Sequence, residues 1–119
     1  LVAQFLGGFL ALVAGNILLG STLELTADTS LVITIAEAVG AAILVLGVSS
    51  VVHGKAPKEA AGLTIGTALT LGAFAASVQS NGVVNPAVAL GIGSLSAAYI
   101  IGPIVGGIIA AWGYRALAK

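Results

Sequence analysis

Residues 81–91 of the chain, Asn81-Gly82-Val83-Val84-Asn85-Pro86-Ala87-Val88-Ala89-Leu90-Gly91, contain the clearest structural signal of the sequence. Asparagine is preferred at the N-cap of a helix, and proline suits the first helical position because its φ is preset and it has no N–H group to leave unpaired. The tripeptide Asn85-Pro86-Ala87 therefore predicts the start of a helix. About nine mostly apolar residues follow, too few to cross a bilayer, for which a helix needs about 20.

The composition around this stretch is that of a membrane protein. Apolar residues make up 59% of the 119-residue chain and charged residues only 7%, whereas soluble domains carry roughly 25% charged residues. Four apolar stretches have about the length that a spanning helix needs. They cover residues 1–20, 31–52, 62–79 and 97–117. We therefore predict an all-α membrane protein in which residues 1–119 form one domain with four spanning helices.

Residues 80–96, between the third and fourth apolar stretches, predict a re-entrant half-helix rather than a crossing. The segment is polar at its start, and its helix is too short to span. Non-helical backbone at membrane depth is tolerated only where it is buried in protein or lines a water-filled cavity. The segment therefore predicts a pore.

The charged residues predict the orientation. The basic ones lie in the loop 53–60 and at the C-terminal end, and the positive-inside rule places both in the cytoplasm. A full crossing by residues 80–96 would put the two groups on opposite sides, so their placement favours the re-entrant segment. The acidic first loop is expected outside. The residues concerned are Lys55, Lys58, Arg115 and Lys119 inside, and Glu24 and Asp28 outside.

The composition excludes several classes of site. The chain has no cysteine and one histidine, which excludes disulfides, thiolate metal sites and histidine clusters. No nucleophile is paired with a base, and no basic run indicates a nucleic-acid surface. We expect no enzymatic activity, no cofactor, no metal and no nucleic-acid partner.

Residues 81–91 resemble the signature loop of the major intrinsic protein family, the aquaporins and glycerol facilitators. The resemblance continues in the same order through nearly all 119 residues. Residues 3–8 are similar to the family's third helix, Glu37 falls in the fourth, residues 62–66 open the fifth, and residues 99–106 with Tyr114-Arg115 resemble the sixth. The resemblance implies an aquaporin-like bundle made of the second inverted repeat and the helix before it.

This resemblance implies a passive channel for water or small uncharged solutes such as glycerol. It also implies a homotetramer in a plasma or inner membrane, with the pore of each subunit at Asn85-Pro86-Ala87. Family members pair two such turns from two inverted repeats, and this sequence has one. We expect the missing N-terminal half to come from a region removed before Leu1, which lies inside an apolar run, or from another chain.

The resemblance also assigns the lining of the pore. It places the constriction at Val88, Ala73 and the carbonyl of Gly82. It places a ladder of carbonyl oxygens at Asn81, Gly82 and Val83. The family usually has arginine at the position of Val88. Without a charged or aromatic side chain at these positions, the filter is expected to be wider and less polar, which favours uncharged solutes larger than water.

Glu37 is an ionisable residue inside a predicted spanning helix. Burying an ionisable side chain in the membrane costs free energy, so such a residue by default indicates a functional role. We expect its carboxylate to support the re-entrant segment by accepting hydrogen bonds from N–H groups there. The alternative is a glutamate that reaches the membrane interface from near a helix end. Its position six residues into the apolar stretch weakens that alternative.

Three residues near the basic end have simple interpretations. Trp112 and Tyr114 fit an interfacial aromatic belt, so we predict that they anchor the last helix. His53 is predicted to be a solvated loop residue, with a pH gate as the alternative.

Two pairs of glycines at four-residue spacing are expected to allow close helix packing. They are Gly62 with Gly66, and Gly102 with Gly106.

Two other functions are considered for this fold. One is a membrane structural or junction protein that conducts little, which swelling rates of protein-containing vesicles would distinguish from a channel. A proton-coupled transporter is disfavoured, because only Glu37 could relay a proton within the membrane.

Overall fold

The computed structural model describes residues 2–21, 25 and 27–118. These residues form five α-helices and one 3-10 turn, and no strand occurs among them. Four helical segments are long and apolar enough to cross a membrane, which confirms the prediction of an all-helical chain with four such elements. The helices are α1 (Val2–Leu19), α2 (Leu31–Val52), α3 (Ala61–Ser77, after the 3-10 turn Lys58–Ala60), α4 (Pro86–Gly91) and α5 (Ala97–Leu117).

The short helix α4 ends earlier than the apolar pattern indicates. It covers six residues instead of about nine, because Gly93 adopts a left-handed φ of 67°. The Ser94 N–H then donates to the Ala89 carbonyl at 2.8 Å and the Gly93 N–H to the Leu90 carbonyl at 3.2 Å. This pair of bonds is the Schellman arrangement that closes helix C-termini. Helix α3 also ends two residues early, at Ser77.

Helix α2 is central and packs against both α3 and α5. Small residues make these contacts close. A Cβ on Gly72 would overlap the backbone of Gly40 between α2 and α3, and one on Gly106 would overlap the Ala38 carbonyl between α2 and α5. At both crossings the backbones of the two helices are in direct contact, which requires a residue without a side chain at Gly72 and at Gly106.

The two glycine pairs differ in their surroundings. Gly102 and Gly106 both lie against α2, as their spacing predicts. Gly62 and Gly66 have open space where a Cβ would stand. Among the residues described, close packing is therefore made by the pair in α5 and not by the pair in α3.

The direction of the helices follows from these contacts. Gly102 lies against Thr34 and Gly107 against Val45, so α5 runs parallel to α2. Helix α3 runs the other way, because Gly72 lies against Gly40 and Ala68 against Gly47. Residues 78–96 therefore leave α3 and return to α5 at the same end of the bundle, the end at which α2 begins. Helix α1 packs on α4, with Gly8 against Ala87.

Replacing Gly106 by alanine should destabilise the protein. The new methyl group would overlap the Ala38 carbonyl, and overpacking of this kind costs about 1–3 kcal/mol. Gly66→Ala is the matched control, because its methyl group meets open space and alanine is the better helix former by about 1 kcal/mol. Thermal unfolding in detergent should show a lower midpoint for the first variant and an equal or higher one for the second. Equal midpoints would contradict the described crossing.

Candidate functional site

Glu37 connects the central helix to the segment before α4. It lies on α2, is fully buried, and its carboxylate accepts three hydrogen bonds from the segment before α4. Ser80 Oγ and the Val83 N–H donate to Oε1 at 2.6 and 3.0 Å, and the Val84 N–H donates to Oε2 at 2.6 Å. One carboxylate therefore connects residues 81–84, the non-helical strip before α4, to the central helix.

The N–H groups of four consecutive residues, 81–84, are all held by side chains of the bundle. Besides the two that reach Glu37, the Asn81 N–H donates to the Tyr99 hydroxyl at 2.9 Å and the Gly82 N–H to Ser80 Oγ at 3.0 Å. No described residue donates to the carbonyl oxygens of Gly82 or Val83. The N–H groups of residues 81–84 are therefore hydrogen-bonded to side chains of the bundle, and the carbonyl oxygens of Gly82 and Val83 can accept hydrogen bonds from other donors.

Two residues of this strip have left-handed backbone. Gly82 has a φ of 63°, which costs glycine little, and Val84 has a φ of 50°. For a β-branched residue this conformation is strained, at about 1–3 kcal/mol. The Val84 N–H bond to Glu37 offsets part of that cost, and burial of the Val84 side chain against Gly40 of α2 offsets more.

The Asn-Pro-Ala turn follows directly. Asn85 is the N-cap of α4, with its Oδ1 accepting the Ala87 N–H at 2.9 Å, and Pro86 is the first helical residue. Because Oδ1 is used by the cap, the amide Nδ2 is the remaining polar group of this side chain, and no described residue accepts from it. Val84 packs on Gly40, near the middle of the 22-residue helix α2, so the turn lies at mid-height of the bundle.

Two cavities adjoin the strip and the turn. The first, of about 390 Å³, lies between α1 and α4 and is lined by Gln4, Gly8, Asn85 and Val88 among others. The second, of about 350 Å³, lies beside α3. Its lining residues are Thr70, Ala73, Phe74, Ser77, Asn81 and Gly82.

The structure brings together only part of the predicted constriction. Ala73 and Gly82 share the second cavity, and a Cβ on Gly82 would stand 2.6 Å from the Ala73 carbonyl oxygen. Val88 lines the first cavity instead. Of the predicted carbonyl ladder, Asn81 is exposed, Gly82 half-buried and Val83 buried.

Several residues of the site were not identified from the sequence. Tyr99 and Ser80 fix the strip, Gln4 lines the first cavity, and Phe74 adds an aromatic ring beside Ala73. Only the residue types of Ser80 and Gln4, polar within an apolar chain, could have drawn attention to them. Tyr99 and Phe74 are ordinary in an apolar helix.

The remaining predicted positions lie away from this site. Trp112 is exposed, and the ring of Tyr114 packs on His53 with centroids 5.3 Å apart. This contact places the loop after α2 and the end of α5 at the same end of the bundle. Asp28 is exposed before α2, whereas Glu24 and Lys119 lie outside the described residues.

Comparison with known protein families, curated proteins and solved structures found no match.

Replacing Glu37 by glutamine should strongly destabilise the fold. An amide has one acceptor oxygen and would turn an NH₂ group toward a buried N–H of the strip, which leaves buried donors unsatisfied at a cost of more than about 2 kcal/mol. Glu59→Gln is the matched control, since Glu59 is exposed in the 3-10 turn. The thermal midpoint in detergent should fall for the first variant and stay for the second. Equal midpoints would show that the carboxylate is not needed.

Proposed function

We propose that the protein is a passive membrane channel for small uncharged solutes, as the resemblance to the major intrinsic protein family implies. The observation that carries the proposal is the arrangement of residues 81–85. The N–H groups of residues 81–84 are bound inward, and the polar turn at Asn85 stands at mid-height of an otherwise apolar bundle. A re-entrant segment of this kind suits a water-filled route, because backbone at membrane depth must be buried in protein or face water.

A solute would meet both kinds of hydrogen-bonding group on this route. The carbonyl oxygen of Gly82, which lines the second cavity, accepts, and the amide of Asn85, which lines the first, donates. Together they replace part of the solute's hydration shell, while the apolar walls offer few other partners. Such a path lowers the barrier for water or an alcohol without binding either tightly.

Ions would be excluded by the same lining. Glu37 lies behind the strip with both oxygens occupied, and no lysine, arginine, aspartate or glutamate is among the described residues that line the two cavities. An ion that sheds its water there gains no opposite charge, so its desolvation is not compensated.

Val88 favours solutes larger than water. It contributes a neutral side chain, 47% exposed, at the first cavity, where the resembling family usually has a cation. In the proposed pore the cavities beside α1, α3 and α4 open toward a second half-channel. That half comes from the rest of the polypeptide or from another chain, and the assembly is a homotetramer with the basic ends of α2 and α5 in the cytoplasm.

Vesicles carrying the full-length protein should take up glycerol faster than empty vesicles in stopped-flow swelling. Val88→Arg should slow glycerol entry about tenfold, which corresponds to about 1.4 kcal/mol of barrier, because it adds a bulky cation at the cavity. Val88→Leu, which keeps the apolar character, should retain most of the rate.

Two results would contradict the proposal in different ways. Rates equal to those of empty vesicles for both water and glycerol would indicate a structural protein with the same fold. Water permeation without glycerol entry would keep the channel and overturn the assignment of larger solutes.

A further inference from the structure

One cavity lies away from the proposed pore, at the basic end of the bundle. It measures about 550 Å³ and opens between α2 and α5. Its walls include Leu46, Ala110, Gly113 and Leu117, and Lys55 and Tyr114 stand at its polar edge. It is therefore apolar along the helices and polar only where they end.

Local backbone structure creates this cleft. Gly54 has a φ of 68° and turns the chain back after α2, and the N–H groups of Lys55 and Ala56 both donate to the Ser50 carbonyl, at 2.8 and 3.1 Å. Lys55 is thereby held beside the end of α5. On the other wall, Gly113 leaves open space where a side chain would stand.

The electrostatic balance at this end is positive. Lys55, Lys58 and Arg115 face one acidic residue, Glu59, and Lys55 forms no ion pair with any described residue. The C-termini of α2 and α5 carry about half a negative charge each, which the basic side chains exceed.

We propose that this cleft binds an anionic phospholipid. The phosphate would lie against the Lys55 ammonium group and the Tyr114 hydroxyl, and one acyl chain would cover Leu46, Ala110 and Leu117. Basic clefts between helices at the cytoplasmic side suit anionic headgroups, and a lysine near the surface favours them over zwitterionic ones by about fivefold. The proposal requires the membrane location and is independent of solute conduction.

The test is lipid retention by the detergent-solubilised full-length protein, measured by native mass spectrometry. Phosphatidylglycerol and phosphatidylcholine with identical acyl chains should bind with a preference of about fivefold for the former. Lys55→Gln should reduce that ratio to about one. Lys58→Gln, in the same loop but outside the cleft, should leave it unchanged.

A second pair of variants tests whether the apolar walls of the cleft hold the acyl chain, and it leaves every charged residue unchanged. Gly113→Leu should fill the cleft and reduce retention of phosphatidylglycerol, whereas Gly66→Leu, whose position on α3 is equally open, should not. Inorganic phosphate should fail to displace the lipid. An unchanged ratio in Lys55→Gln, equal retention in both leucine variants, or displacement by inorganic phosphate would each overturn the proposal.

Discussion

The carboxylate of Glu37 holds residues 83 and 84 against the central helix α2. Backbone N–H groups in an apolar environment must find acceptors, and residues 81–84 form no helix that would supply them. The two carboxylate oxygens of Glu37 accept hydrogen bonds from the Val83 and Val84 N–H groups. The Tyr99 hydroxyl and Ser80 Oγ accept from the N–H groups of residues 81 and 82. The position of the Asn85 turn is a consequence of this anchoring, because Val84 immediately precedes it.

The glycine contacts of α2 allow the carboxylate to reach the strip. A Cβ on Gly102 would stand 2.9 Å from the Glu37 Cβ, and Gly40 and Gly72 allow α3 to approach from the other side. Larger residues at these crossings would push α3 and α5 outward, and the hydrogen bonds of 2.6 to 3.0 Å to Glu37 would be lost. The hydrogen bonds of the buried Glu37 carboxylate therefore depend on the close packing of α2 with α3 and α5.

Much of this organisation could be predicted from local sequence, and the rest could not for a physical reason. Apolar length predicts the long helices, and Asn85-Pro86 predicts the start of α4, because both depend on neighbouring residues. The left-handed φ of Val84 and the acceptor role of Tyr99 depend on contacts between distant elements. The separation of Val88 from Ala73 and Gly82 into two cavities likewise reflects how α4 sits between α1 and α5, which no local pattern encodes.

Thiol accessibility can show whether water reaches the Asn85 turn, as the proposed route requires. Residues 1–119 contain no cysteine, so Val88→Cys and Ile109→Cys each add one thiol to this part of the chain, and the unsubstituted full-length protein gives the background labelling. Ile109 is 65% exposed on α5, where the proposed fold meets lipid. A charged, water-soluble thiol reagent requires a hydrated thiolate, so it should modify Cys at position 88 in bilayers and leave Cys at position 109 unreacted. Equal protection of both positions would show that no water-filled route reaches the Asn85 turn.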